Sequence, residues 1–193
     1  MPDKLVGVQV RGNTIAEVQG NIQWAEDLGI QAVWMTAGGA SLDSMTCFAA
    51  SAASTTNIKL GTSIVPTYPR HPLVMAQQAQ VVAQLAPGRF RLGIGPSHRP
   101  TIEGMGIEFK APLGHLREYI QILKSLLQTG SVDFDGKRYK AHAAIPGPLD
   151  LEIMGSALGK GSFELCGAVA DGAISWLCPA AYLKDAAVPA MEK

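Results

Sequence analysis

The sequence predicts an α/β fold, a parallel sheet covered by helices and curled into a TIM (β/α)8 barrel. Three observations point there. Short, apolar, β-rich runs begin at Leu5, Ala32, Lys59 and Arg89, spaced by about the 30 residues of one strand–helix unit. Between those runs, apolar residues recur at helical spacing. No hairpin turn joins them, so strand, helix, strand, helix implies parallel strands. An open doubly wound sheet is the competing arrangement. Its phosphate fingerprint fits poorly: Gly93-Ile-Gly95 lacks the third glycine of GxGxxG and follows the fourth strand instead of the first.

Each element has its own local reason. Leu5 to Val10 reads as a strand buried on both faces. Thr14-Ile-Ala-Glu17 matches a capping box. Ile15, Val18, Ile22 and Ala25 follow at helical spacing, and Leu28-Gly29 stops the helix. Ala32 to Thr36 is the second strand, and Asp43 is an N-cap for a helix burying Met45, Phe48, Ala49 and Ala52. Lys59 to Val65 is the third strand. It leads through a proline-rich loop to Pro72, which suits the first turn of a helix. Val74, Val81, Val82 and Leu85 form that helix's expected buried stripe. Arg89 to Gly95 is the fourth strand, followed by a loop holding Pro96, Pro100, Gly104 and Gly106. Leu113, Leu116, Ile120, Leu123 and Leu127 mark the longest helix, closed by Gly130.

Residues 131–148 change texture. They alternate around Asp135-Gly136, a strong hairpin signal, and read as a small insertion on one domain spanning residues 1–193. Leu151 to Met154 is the fifth strand, Phe163, Leu165 and Val169 mark a helix, and Asp171 to Trp176 is the sixth strand. The last stretch reads as a helix that Pro189 interrupts.

The chain's 193 residues suffice for one substantial core. With 47% hydrophobic and 17% charged residues it is globular. A formal net charge of +0 argues against a nucleic-acid partner. Cys47, Cys166 and Cys178 are odd in number and form no CxxC, which argues against disulfides or zinc and for a reduced, cytoplasmic setting. Met-Pro-Asp-Lys leads straight into a strand-like run, with no signal peptide and no apolar stretch long enough to span a bilayer.

Several motifs now occur in order. Lys59-Leu-Gly61, Tyr68-Pro-Arg-His-Pro72, Gly88-Arg-Phe-Arg-Leu-Gly-Ile-Gly95 and Ala170-Asp-Gly172 together resemble the bacterial luciferase-like monooxygenase superfamily. The likeness runs from about Leu5 to Trp176. Arg70-His-Pro72, the run ending at Gly95 and the Ser97-His-Arg-Pro100…Glu103-Gly104 loop resemble its members that use the deazaflavin coenzyme F-420. This resemblance implies a TIM barrel of the bacterial luciferase type with an inserted segment, a deazaflavin or flavin at the C-terminal mouth, and a homodimer. It implies a bulge with a non-prolyl cis peptide behind the cofactor ring, at Ser63-Ile64 by motif position and followed by Val65. It also implies a phosphate site after the fifth strand, at Gly155, Ser156 and Ala157. Gly155, Gly159 and Gly161 would let amides approach an anion, Ser156 can donate, and Lys160 lies beside a helix N-terminus. Alternatively, Gly155 and Gly159 serve only a tight strand–helix turn.

Two departures stand out. Family members that oxidise sugar phosphates or alcohols carry a histidine after the second strand, where this chain has Met35-Thr36-Ala37-Gly38. Only about six βα units are legible, so strands seven and eight are expected to be missing. A fragment, a truncated product and a short variant completed by a partner would all read this way.

The candidate chemistry is sparse. His98, just past the fourth strand, is the best proton donor or substrate contact and the one catalytic candidate. His71 is expected to cap a helix, and His115 and His142 to be solvated. Glu103 could accept a proton, Trp34 and Trp176 could flank a ring, and core or loop packing competes for these and for Tyr68. No GxSxG elbow supports a hydrolase, and no strand-ending lysine supports a Schiff-base aldolase. The expected activity is hydride transfer between F-420 and a small organic substrate. Ser63, Ile64 and Val65 would back the ring, Gly95 and Ser97 line the mouth, and Gly155 to Ala157 hold the phosphate. Thr36 would contact the cofactor and, with Tyr68, His98 and the insertion, govern substrate choice. FMN-dependent monooxygenation is the alternative activity, and a non-catalytic flavin-binding fragment the other.

Overall fold

The computed structural model describes residues 5–193; Met1–Lys4, read in sequence as leading directly into the first strand, lie outside them. Strands β1 (Gly7–Gln9), β2 (Ala32–Met35), β3 (Lys59–Thr62), β5 (Phe90–Gly95), β8 (Glu152–Ser156) and β9 (Gly172–Ile174) pair in parallel in that order, and the short β4 (Val65–Pro66) pairs with β5. Helices α1 (Ile15–Asp27), α2 (Ser44–Ala52), α3 (Pro72–Leu85), α5 (Pro112–Thr129) and α6 (Lys160–Val169) connect them. This is a half-barrel of six strand positions, the incomplete (β/α) barrel that the repeat predicts.

Most helix ends follow the local signals. Thr14 accepts from the Glu17 amide at 3.2 Å, and the Glu17 carboxylate accepts from the Asn13 amide at 2.8 Å. Asp43 caps α2 through the Thr46 amide at 2.9 Å. His71 caps α3, its Nδ1 accepting from the Leu73 amide at 3.2 Å. Gly29 and Gly130 end α1 and α5 with φ of 72° and 93°, a region that glycine enters without a Cβ clash.

The core lies between the sheet and its helices. Val33, Leu60, Leu92 and Ile153 face the helices and are fully buried, against Phe48, Met75, Ile120 and Leu123. The opposite, concave face carries the register row Trp34, Gly61, Arg91 and Glu152. The Trp34 indole lies over Gly61, where a Cβ would overlap it. The Arg91 guanidinium stands 6.0 Å from the Trp34 ring centroid and pairs with Glu152.

Several sequence expectations need correction. β1 is not buried on both faces: it has one neighbour among the described residues, and Val6 and Val8 are 67% and 39% exposed. The stripe assigned to α3 is wrong at Val74, Val81 and Leu85, which are exposed; Met75, Ala76, Ala79, Val82 and Ala83 are buried instead. That face packs against α2, α5 and β5. Ile15 and Leu113 are exposed as well. The loop after β5 folds partly into a short helix, α4 (Arg99–Glu103).

Pro189 does not interrupt the last helix. Helix α7 (Ala180–Tyr182), a π turn (Leu183–Ala187) and α8 (Val188–Met191) run on continuously. Pro189 falls directly after the π turn, in the first turn of α8. Gly167 of α6 permits this packing, because a Cβ there would overlap the Met191 carbonyl. The insertion is a separate antiparallel hairpin, β6 (Ser131–Asp135) and β7 (Lys140–Ala144), with Gly136 donating to the Tyr139 carbonyl at 2.8 Å.

Candidate active site

The third barrel position is broken in a way that shapes the mouth. β3 pairs with β5 only through Leu60 and Gly61, and pairing resumes at Val65 opposite Ile94. Between these points the Thr62 hydroxyl replaces the backbone ladder: it donates to the Gly93 carbonyl at 2.7 Å and accepts from the Gly93 amide at 2.8 Å. The chain thereby bulges at Ser63-Ile64, whose peptide is cis, as the resemblance implied. The Ser63 amide donates to Met35 O at 2.9 Å and the Ala37 amide to Ile64 O at 3.3 Å, tying the bulge to the end of β2.

The strand ends converge there. A Cβ on Gly95 would overlap the Ser156 side chain and lie 3.3 Å from Ile64 Cδ1. Ile64, Gly95 and Ser156 therefore meet at one point, and only glycine fits between the other two. Ser97 holds a left-handed φ of 63°, turning the chain sharply after Pro96. His98 follows at the start of α4, exposed and with no capping bond. Thr36 is exposed just past β2. Val65 is fully buried beneath the helices, so it supports the bulge from behind.

The fifth strand is longer than the sequence suggested. Gly155 and Ser156 belong to β8, and the turn begins at Ala157, whose amide donates to Ile174 O at 2.9 Å. Gly155 faces α6: a Cβ would come within 2.6 Å of Cys166 Sγ. Ser156 faces the mouth. The following loop is fastened by Ser162, which accepts from the Leu158 amide at 3.1 Å and donates to Gly159 O at 2.6 Å. Tyr182 of α7 donates to Leu158 O at 2.9 Å. No side chain caps α6, and the amides of Gly159, Lys160 and Gly161 have no partner among the described residues. Such a helix end attracts anions through free N–H groups and the helix dipole.

His115 was expected to be solvated and is 4% exposed. Its Nε2 lies 2.8 Å from Thr67 Oγ1, and its Nδ1 3.3 Å from Tyr139 Oη. Burial, reinforced by the Arg138 charge and opposed by Glu118, lowers its pKa to about 4. Burial likewise raises the Tyr68 phenol, whose hydroxyl donates to Lys110 O at 2.8 Å. The expectation failed because helical phase alone does not show that Thr67, Tyr68 and Tyr139 close over this turn of α5. His142 is exposed as expected and bonds Asp133 at 2.6 Å. Trp176 is 60% exposed, and Trp34 fills the concave face below the mouth.

A profile of luciferase-like monooxygenases matches residues 3–193. The chain belongs to the luciferase-like monooxygenase family. Within that family it is 31% identical over 153 residues to the 5,10-methylenetetrahydromethanopterin reductase of Methanolobus tindarius, covering 78% of this chain and 47% of that protein. It is 36% identical over 117 residues to the F-420-dependent glucose-6-phosphate dehydrogenase of Nocardia farcinica, covering 58% and 35%. The luciferase-like fold is shared with the solved F-420-dependent tetrahydromethanopterin reductase from Methanopyrus kandleri at a TM-score of 0.82 and 26% identity, over 96% of this chain and 59% of that one. An FMN complex of a type II Baeyer–Villiger monooxygenase from Pseudomonas putida shares the fold at 0.72 and 20% identity, over 88% and 56%. The chain spans about half the length, or less, of the curated relatives it matches.

Proposed function

We propose that this chain forms the cofactor-binding part of an F-420-dependent oxidoreductase acting on a small organic substrate. The carrying observation is the contact of Ile64, Gly95 and Ser156 at one mouth, beside an uncapped helix N-terminus. Gly95 lets Ile64 and Ser156 close into one wall against which a planar ring can lie. A phosphate needs free amides such as those of Gly159 to Gly161. The names of the relatives support F-420 as the group that fits.

F-420 supplies the hydride-carrying ring when bound. The chain's own part is placement. Ser63, Ile64 and Val65 form the wall behind the ring, and Gly95 to Ser97 form the rim. Ser156 and Ala157, with the α6 amides, take the phosphate, and Gly155 acts indirectly by letting α6 pack on β8. His98 is the proton donor or substrate contact, and Thr36 and Tyr68 border the substrate. A homodimer is supported by the exposed Val74, Val81 and Leu85 on one face of α3. A cytoplasmic setting suits the three unpaired cysteines.

Titration of the purified chain with F-420 and, separately, FMN, followed by fluorescence quenching, tests the reading. Saturable micromolar binding of F-420, lost in Gly95→Ala, is the expected result. Preference for FMN would move the activity to the flavin monooxygenases, and binding of neither would overturn the reading.

A further inference from the structure

The most deeply buried titratable base that this reading leaves unused is His115. Its ring lies flat on Tyr68, with centroids 3.8 Å apart and planes 5° from parallel. Tyr119 and Tyr139 tilt against it at 6.0 and 5.4 Å. The ring is thus held on several sides, and its two nitrogens have defined neighbours. Nε2 meets Thr67 Oγ1, and Nδ1 meets Tyr139 Oη. Thr67 in turn donates to Gly95 O twice, from its amide at 2.9 Å and its hydroxyl at 3.1 Å.

Proton counting gives this chain of contacts a direction. A neutral imidazole has one N–H and one acceptor nitrogen. The Thr67 hydroxyl hydrogen points to Gly95 O, so its oxygen accepts from Nε2–H. Nδ1 is left to accept from the Tyr139 phenol. Every hydrogen is used once, from Tyr139 through His115 and Thr67 to the Gly95 carbonyl. The links come from four places in the fold: the hairpin, α5, the end of β4 and the end of β5.

We propose that Tyr139, His115 and Thr67 form a hydrogen-bonded brace by which the β6–β7 hairpin holds the Gly95 carbonyl and the Pro96-Ser97 turn in place at the mouth. His115 is a positioning residue and touches no reacting atom. The brace rests on the cofactor reading only in taking that turn as a wall of the binding site. A hairpin of different sequence would then tune the mouth from outside it.

The test uses the full chain with Thr67→Val, Tyr139→Phe and the conservative Thr67→Ser. Amide exchange by NMR reports the Thr67 amide against those of Val33 and Leu60 in the sheet. Thr67→Val and Tyr139→Phe should each speed exchange at Thr67 by about five-fold relative to the sheet amides, the effect of one ordinary hydrogen bond. Thr67→Ser should restore it. Side-chain nitrogen shifts should show the Nε2–H tautomer of His115 in the wild type and a mixture in Tyr139→Phe. Uniform acceleration, no acceleration, or an Nδ1–H tautomer would overturn the brace. Weaker F-420 binding by Tyr139→Phe is expected, and unchanged binding despite faster exchange would overturn the positioning role. Failure of the wild type to bind F-420 would count against the proposed activity, while exchange would still decide the brace.

Discussion

Lowering the pH from 8 to 5 should destabilise this protein through His115. In the native state its pKa is lowered to about 4, against 6.5 for the unperturbed ring. The unfolded chain therefore binds more protons across that interval, and stability falls as pH drops through 6.5. At pH 5 the unfolded ring is almost wholly protonated and the native ring about one-tenth so. The lost stability is about 2 kcal/mol relative to pH 8, approaching about 3 kcal/mol below pH 4. The groups facing the ring are Glu118 and Tyr119 on α5, Arg138 and Tyr139 on the hairpin, and Tyr68 from the loop before α3. Burial raises Glu26, Asp43 and Asp171, but hydrogen bonds and nearby cations outweigh it and hold all three below their ordinary values. Their stabilisation is lost at lower pH, as pH falls through those depressed values, which separates them from His115. Urea unfolding followed by circular dichroism at pH 5, 6, 7 and 8 measures the effect in wild type and His115→Gln. His71, His98 and His142 are exposed and present in both proteins. The wild type should lose about 2 kcal/mol over this range and the variant less than about 0.5 kcal/mol. Equal pH slopes, or a His115 resonance titrating near 6.5, would refute the reasoning.

Two further perturbations have defined outcomes. The Glu26 carboxylate accepts from the amides of Thr56, Asn57 and Ile58 at 3.0, 2.6 and 2.9 Å, joining α1 to the approach of β3. Glu26→Ala should cost about 1–2 kcal/mol in urea unfolding at pH 7 and leave cofactor affinity unchanged. Gly167→Ala places a Cβ on the Met191 backbone and should lift α8 from α6. Limited proteolysis should then cut selectively after residue 179, with a loss of about 1–3 kcal/mol. Cleavage no faster than in wild type would show that α8 is not held by that contact.

Local chemistry made much of the fold legible. Caps at Thr14, Asp43 and His71, glycine stops at Gly29 and Gly130, and the repeated strand starts follow from a few neighbouring residues each. Burial was harder. In α3 the sequence pattern favoured Val74, Val81 and Leu85, yet the face that packs inward carries Met75, Ala76, Ala79, Val82 and Ala83. A hydrophobic stripe shows which faces can be buried, but the elements packed against the helix decide which one is.

The site divides in the same way. The bulge at Ser63-Ile64 was implied by the family resemblance, and the glycines at Gly95 and before α6 were readable because each lies within one loop. The contact among Ile64, Gly95 and Ser156, the facing of Gly155 toward Cys166, and the burial of His115 were not. They join positions far apart in the chain; Tyr139 reaches His115 across 24 residues. Local chemistry along the chain sets the order of elements, most of their ends and where glycine leaves the backbone without a side chain. Tertiary structure alone decided which side chains meet, since a side chain's neighbours and charge state depend on what other elements pack over it.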